Sequence, residues 1–261
     1  MEMGFRPEIR KILGLLPPKN TRQTLLFSAT MPKDVMGIAR FALRDKFEHI
    51  DCVGKDTDTH KRVPQSFTLV DESNVMIELA SAIQEAVEED PKRYKIMVFF
   101  VTARLTQLYS QIFNSIRGKF RLKVLEMHSR KSQSHRQKCA KAFREGERGI
   151  MFSSDVSARG MDYPDVTRVI QIGIPSDKAQ YVHRLGRTAR AGKNGSGLIV
   201  LTPSEMRFLR KEASDLNITE RKSSSKRNEM LRPCLQKAIG DVPYDSYARG
   251  YSAMLGYVVV F

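Results

Sequence analysis

Between Gln65 and Leu201 the chain alternates short, continuous apolar runs with longer stretches in which apolar residues recur every three or four positions, a pattern few folds accept. The runs fall at 66–70, 96–101, 122–127, 149–153, 167–172 and 197–201. After the first run, Met76, Leu79, Ala80, Ile83 and Val87 share one helical face; after the second, Leu105, Leu108, Tyr109, Ile112 and Ile116 do the same. A further helix is predicted over 133–143. A strand that is apolar on both sides must be covered on both faces, so the pattern predicts an α/β fold, a parallel sheet flanked by helices on each side.

The flanks read differently. Residues 1–53 give helix, strand, helix, strand, with strands at 23–27 and 47–53 and a helix at 32–43 that Pro32 would open. Four such elements cannot close a doubly wound sheet. Residues 54–64, GKDTDTHKRVP, have no apolar period and read as a linker. Beyond residue 202 the alternation stops, and 203–261 reads as a helical extension with helices at 204–216 and 227–239 separated by ITERKSSSKR.

The chain has 261 residues, of which 41% are apolar, enough for a real core, and a net charge of +15 that points to a polyanionic partner. The charge is concentrated: residues 117–148 hold eleven Lys or Arg against three Glu. Cys52, Cys139 and Cys234 are far apart and form neither CxxC nor Cys/His spacing, so no zinc site or disulfide framework is predicted and a reducing compartment fits best. No apolar run is long enough for a membrane span.

Residues 181–192, YVHRLGRTARAG, place Arg184, Arg187 and Arg190 at a spacing of three behind His183. On a helix that spacing keeps the three guanidinium groups near one face, where they can converge on phosphate oxygens; a solvated basic helix is the alternative. Read in order, LLFSATMP (25–32), MVFFVTA (97–103), the QxxR of Gln133 and Arg136, SSDVSARGMDYPDV (153–166) and YVHRLGRTARAG together resemble the ordered signature of the DEAD-box RNA helicases. The resemblance covers about residues 1–202. Residues 244–257, YDSYARGYSAMLGY, are similar to the tails of organellar intron-splicing members of that family.

The resemblance implies a RecA-like domain at 65–202, preceded at 1–53 by the end of a first RecA-like domain. Neither a GxxxxGK phosphate loop nor an Asp-Glu-Ala-Asp box occurs, so the chain resembles a helicase that begins partway through its first domain, with Met1 an internal methionine. It further implies that Arg187 and Arg190 reach a γ-phosphate held by the other domain, and that His183 links them to the motif containing Ser28 and Thr30, which couples hydrolysis to strand separation. Gly160 and Asp162 would meet the nucleotide, Asp162 at the ribose. Thr102, Gln133, Arg136, Ser154 and Asp155 would grip RNA by sugar and phosphate. Family members often have Gly where Ala189 stands and Thr where Ser154 stands. Blander roles remain open for several of these residues: Thr30 as a helix cap, Arg136 as a surface arginine packing its stem, Gln133 as an ordinary first-turn residue, Asp162 as a turn aspartate. His128 and His135 read as structural or surface residues, and the tail tyrosines as packing or RNA-stacking groups.

The implied cofactors are ATP and Mg²⁺ in the complete protein, with no metal ligands in this chain. The implied partners are RNA and an N-terminal RecA-like half in cis or in trans, with no membrane, and a monomer is expected. Taken alone the chain is expected to bind RNA without hydrolysing ATP. Two rivals stand beside this reading: a stand-alone RNA-binding or regulatory protein that has lost catalysis, and a subunit that completes an ATP site across an interface.

Overall fold

The computed structural model describes residues 6–27, 33–50, 62–120, 123–157, 162–190 and 193–260. Residues 1–57 and 58–261 are two compact units. In the first, helices α1 (Arg6–Gly14) and α2 (Lys33–Ala42) are formed, and the Arg10 guanidinium lies 5.1 Å from the centre of the Phe41 ring. The strands expected at 23–27 and 47–53 are not formed: 23–27 and 47–50 are irregular, and 51–53 lie outside the described residues. A strand is defined by its ladder, and neither segment pairs with a neighbour among the described residues. Leu15, Phe27 and Ile50 are left 87%, 86% and 70% exposed.

The second unit is built on a seven-stranded, wholly parallel sheet of order β3-β4-β2-β5-β6-β1-β7. The strands are β1 (Gln65–Leu69), β2 (Lys95–Phe100), β3 (Val124–Met127), β4 (Gly149–Ser153), β5 (Arg168–Ile172), β6 (Ser196–Leu201) and β7 (Ile218–Glu220). Every residue of β2 and β4 is buried, which is why these runs are continuously apolar. Helices α3 (Val75–Glu89) and α4 (Ala103–Ser115) cover one face, where Leu79, Ile83, Ile112 and Phe113 pack on Ile96, Val98, Phe100, Ile150 and Phe152. After the short helix α5 (Arg117–Phe120), helices α6 (Gln133–Glu145) and α7 (Lys178–Leu185) cover the other face, with Phe143 over Met97 and Met151, and Tyr181 and Leu185 over Ile199 and Leu201. Three of these helices start on a side-chain cap. Thr102 Oγ1 accepts from Leu105 N at 3.1 Å, Ser132 Oγ from His135 N at 3.2 Å and Asp177 Oδ1 from Gln180 N at 2.7 Å.

The extension differs from the all-helical reading in two ways. The segment Ile218–Glu220, inside the stretch read as a connector, is strand β7 and adds to the sheet edge beside β1. The helix expected over 204–216 shortens to α8 (Arg207–Lys211) behind a 3₁₀ turn capped by Thr202 and Glu205. Helices α9 (Ser225–Gly240) and α10 (Tyr244–Val260) then pack back on α3 and α4, and Leu231, Leu235 and Ala238 of α9 join the core. Glu78 of α3, 0% exposed, is held in this contact by Arg221 Nη1 at 2.8 Å and by Ser223. Among the described residues no helix is long and apolar enough to cross a membrane.

Candidate functional site

The candidate residues separate into two groups at opposite ends of the strands. At the carboxyl ends, Thr102 follows β2, Ser154 follows β4, and Gln133 and Arg136 open the helix after β3. The Ser154 amide donates to Met127 O at 3.1 Å, so the ends of β3 and β4 are tied together where these side chains emerge. The Thr102 hydroxyl uses one of its two lone pairs on the α4 cap, which leaves it able to donate its proton. Gln133 is exposed; Arg136 is half-buried, and its Nε is buried with no hydrogen-bond partner among the described residues. A buried guanidinium N–H in that state is a donor waiting for an acceptor.

Asp155 belongs to the same end but faces α7. Its Oδ1 accepts from Gln180 Nε2 at 2.6 Å and from Arg184 Nε at 2.7 Å. Arg184 is 1% exposed, lies 5.7 Å from the centre of the Phe99 ring and also reaches Gln171 Oε1 at 3.5 Å. The expectation that Arg184, Arg187 and Arg190 share one helical face is therefore corrected. Helix α7 ends at Leu185, where Gly186 N closes on Val182 O at 2.8 Å, and Arg187 and Arg190 sit on the turn beyond it. Arg184 is a buried strut and they are not.

At the amino ends, Asp162 Oδ1 accepts from Arg190 Nη1 at 2.6 Å, and Arg187 lies beside them. Burial, then the neighbouring Arg190, pulls the Arg187 guanidinium down to about 10, against Asp162 and Tyr163, so it remains a cation at neutral pH. Three bonds fix this corner to the strand starts. Lys95, first residue of β2, donates from Nζ to Pro164 O at 3.1 Å; Arg144 Nε donates to Asp162 O at 3.3 Å; and Thr188 Oγ1 donates to Val166 O. His183 is half-buried on α7, and its carbonyl accepts from Arg187 Nε at 3.3 Å. Ala189 adopts φ 53°, in the left-handed region that favours glycine, a physical reason for a glycine to be common there. The turn is further shaped by Gly195: a Cβ on it would lie 2.0 Å from Thr188 Oγ1 and 2.9 Å from Ala189 N. Ser28, Thr30 and Gly160 lie outside the described residues.

Five- and six-residue strands at about 3.3 Å per residue put roughly 17–20 Å between the two groups. One consists of hydroxyl, amide and guanidinium donors suited to a phosphodiester backbone, the other of two guanidinium groups and a carboxylate suited to a nucleotide's phosphate and sugar. Among the described residues no three His, Cys, Asp or Glu side chains converge as a metal site. The donors that are present fit the phosphates instead.

His128 proves to be structural and fully buried, with Nε2 2.7 Å from Glu126 Oε1 and Nδ1 accepting from Arg130 N at 3.2 Å. His135 Nε2 lies 3.3 Å from Cys139 Sγ one turn along α6. Two pairs escaped the sequence reading, Arg184 with Asp155 and Arg221 with Glu78. The signal for the second was available: Glu78 is the one carboxylate in the first ten residues of its helix, where its neighbours are almost all apolar.

Residues 75–192 match the helicase conserved C-terminal domain. DEAD-box ATP-dependent RNA helicase 25 of Oryza sativa subsp. japonica is 42% identical over 258 residues, covering 98% of this chain and 42% of that protein. The mitochondrial ATP-dependent RNA helicase MSS116 of Phaeosphaeria nodorum is 38% identical over 100% of this chain and 48% of its own length. The chain thus spans a little under half the length of these curated relatives. The solved structure of Mss116p bound to single-stranded RNA and AMP-PNP aligns at 30% identity with a TM-score of 0.76, over 98% of this chain and 53% of that one. With a RecA-like parallel sheet, the ordered motifs and these relatives in agreement, the chain belongs to the DEAD-box RNA helicase family and carries its C-terminal helicase domain.

Proposed function

We propose that this chain is the RNA-gripping, arginine-donating half of an ATP-dependent RNA helicase, and that it acts only when closed against an N-terminal RecA-like half. The observation that carries the proposal is the cluster of Arg187, Arg190 and Asp162 on a turn fixed to the strand starts. Two guanidinium groups beside a single carboxylate leave a net positive charge on the turn, which a γ-phosphate would complement. In this reading Arg187 and Arg190 stabilise charge on the transferred phosphoryl group, and Asp162, with Gly160 beside it, holds the ribose. His183 sets Arg187 through its carbonyl and connects the turn to Ser28 and Thr30 of the first domain. ATP and its Mg²⁺ would sit against the other half, which would supply the phosphate loop and the metal carboxylates.

RNA would lie across the carboxyl ends of β2, β3 and β4, held by Thr102, Gln133, Arg136 and Ser154, with Asp155 bracing Ser154 against α7. The unpartnered Arg136 Nε supports a phosphate at that point. The exposed Leu15, Phe27 and Ile50 of residues 1–57 support a fragmentary first domain at 1–53, joined through 54–64 to the second.

The test is reconstitution. The chain alone is expected to bind single-stranded RNA and to show no RNA-stimulated ATP hydrolysis. Adding the N-terminal half of a relative should restore hydrolysis, and Arg187→Ala or Arg190→Ala should remove it while leaving RNA binding intact. Robust hydrolysis by the pure chain, or indifference of the restored activity to both arginines, would overturn the proposal.

A further inference from the structure

Outside both groups, a cavity of about 470 Å³ opens at the carboxyl ends of β2, β5 and β6, beneath α10. Its volume lies in the range of small-molecule pockets, and its place is where open parallel sheets present ligands. The walls are mostly apolar, with Phe100, Leu105, Tyr109, Ile172, Val200 and Met254 facing in. The rings of Phe100 and Tyr109, 4.8 Å apart and inclined at 51°, give it an aromatic side. Tyr257 of α10 closes it, its hydroxyl donating to Ile174 O at 2.8 Å. Gly173 turns the chain at the floor with φ 78°; a Cβ there would sit 3.0 Å from Val101 Cγ1 and 3.2 Å from Glu205 Oε1.

Two carboxylates line it, Glu72 at the rim and Glu205 in the wall. Glu205 is the one that the backbone holds in place. Its Oε2 accepts from Thr202 N at 2.9 Å and from Thr202 Oγ1 at 3.2 Å, and the Ile174 amide reaches it as well. A carboxylate has about four acceptor positions, so three donors leave one over. Burial pushes its carboxyl above the ordinary range, hydrogen bonds from Thr202 and Ile174 oppose this, and Glu72 at the rim pushes further the same way. A half-buried carboxylate beside a second carboxylate, with an acceptor position to spare, favours a cationic partner.

We propose that this cavity binds an amphiphilic organic cation, a protonated amine carried on a flat apolar body, with the amine on Glu205 and the body against Phe100 and Tyr109. Glu72 and Glu205 exclude phosphates and carboxylates by repulsion, which separates this site from the RNA and nucleotide groups. Arg207, also at the wall, limits the site to one positive charge. The lining includes Val101, next to Thr102, and Ile174, four residues before α7, so the site lies beside the proposed RNA groups and outside both working regions.

Three probes of one shape decide it: 1-naphthylmethylamine, neutral 1-naphthalenemethanol and anionic 1-naphthoate, each titrated into the ¹⁵N-labelled 261-residue chain at pH 7. The amides of Gly173, Ile174 and Thr202 should shift, with affinity falling from amine to alcohol to naphthoate and the extremes differing by about tenfold or more, as expected for one half-buried charge pair. In Glu205→Gln the amine should lose its advantage over the alcohol while the alcohol binds as before. Equal affinity of the three probes, shifts confined to other regions, or none up to the solubility limit would overturn the proposal. The unmodified chain decides the matter even if the variant fails to fold.

Discussion

A guanidinium buried as deeply as that of Arg184 needs a fixed counter-charge, and Asp155 provides it at 2.7 Å. Asp155→Ala strands that cation with only Gln171 at 3.5 Å. Removing one member of a fully buried pair costs about 3–5 kcal/mol; with Asp155 46% exposed, we expect about 2–3 kcal/mol, read from the urea midpoint. Glu126 gives a prediction in pH. Burial alone would raise its carboxyl, but hydrogen bonds from His128 and Lys131 outweigh burial and hold it below its ordinary value of 4.5. A depressed folded value stabilises the protein above the unfolded value and is lost as pH falls through the folded one. Stability measured from about pH 5 down to about pH 3 should therefore decline less steeply in Glu126→Gln than in the parent. None of these pairings was legible in the sequence, because Arg184 finds Asp155 and Gln171 at separations of 29 and 13 residues that no local period encodes.

Elements were more legible where burial made them uniform. The runs that became β2 and β4 announced themselves because both faces are covered. Strand β7 did not: Ile-Thr-Glu is three residues long, pairs on one side only and lies among serines and charges. The end of α7 was hidden too, since LGRTAR is compatible with helix and the stop comes from Gly186 and the bond from Thr188 to Val166. That turn can be tested from both directions. Ala189→Gly should raise stability by about 1 kcal/mol by relieving the positive φ, whereas Gly195→Ala should lower it by about 3 kcal/mol by driving a Cβ into Thr188 and the Ala189 amide, both read as shifts in thermal midpoint. The extension is equally committed to the sheet domain. Arg221→Ala leaves Glu78 buried without its cation and should cost about 3–5 kcal/mol in urea.

For the whole molecule, the net charge of +15 is the quantity read most directly from the sequence, and it bears on how the protein meets a polyanion. Log affinity for single-stranded RNA should fall linearly with log salt, and Arg136→Ala should reduce the magnitude of that slope by about one without changing which sequences are preferred. A slope unchanged by the variant would place Arg136 off the phosphate path.

The distance across the sheet carries a consequence for coupling. Groups roughly 17–20 Å apart cannot sense each other by contact, and screened charge carries little information over that range. Helix α7, eight residues and about 12 Å long, lies in this interval: Gln180 and Arg184 are pinned to Asp155, and His183, next to Arg184, holds Arg187 through its carbonyl. Because His183 and Arg184 are consecutive residues, a displacement of the arginine turn is expected to strain the Asp155 pairing, so the two regions are joined through a single short helix.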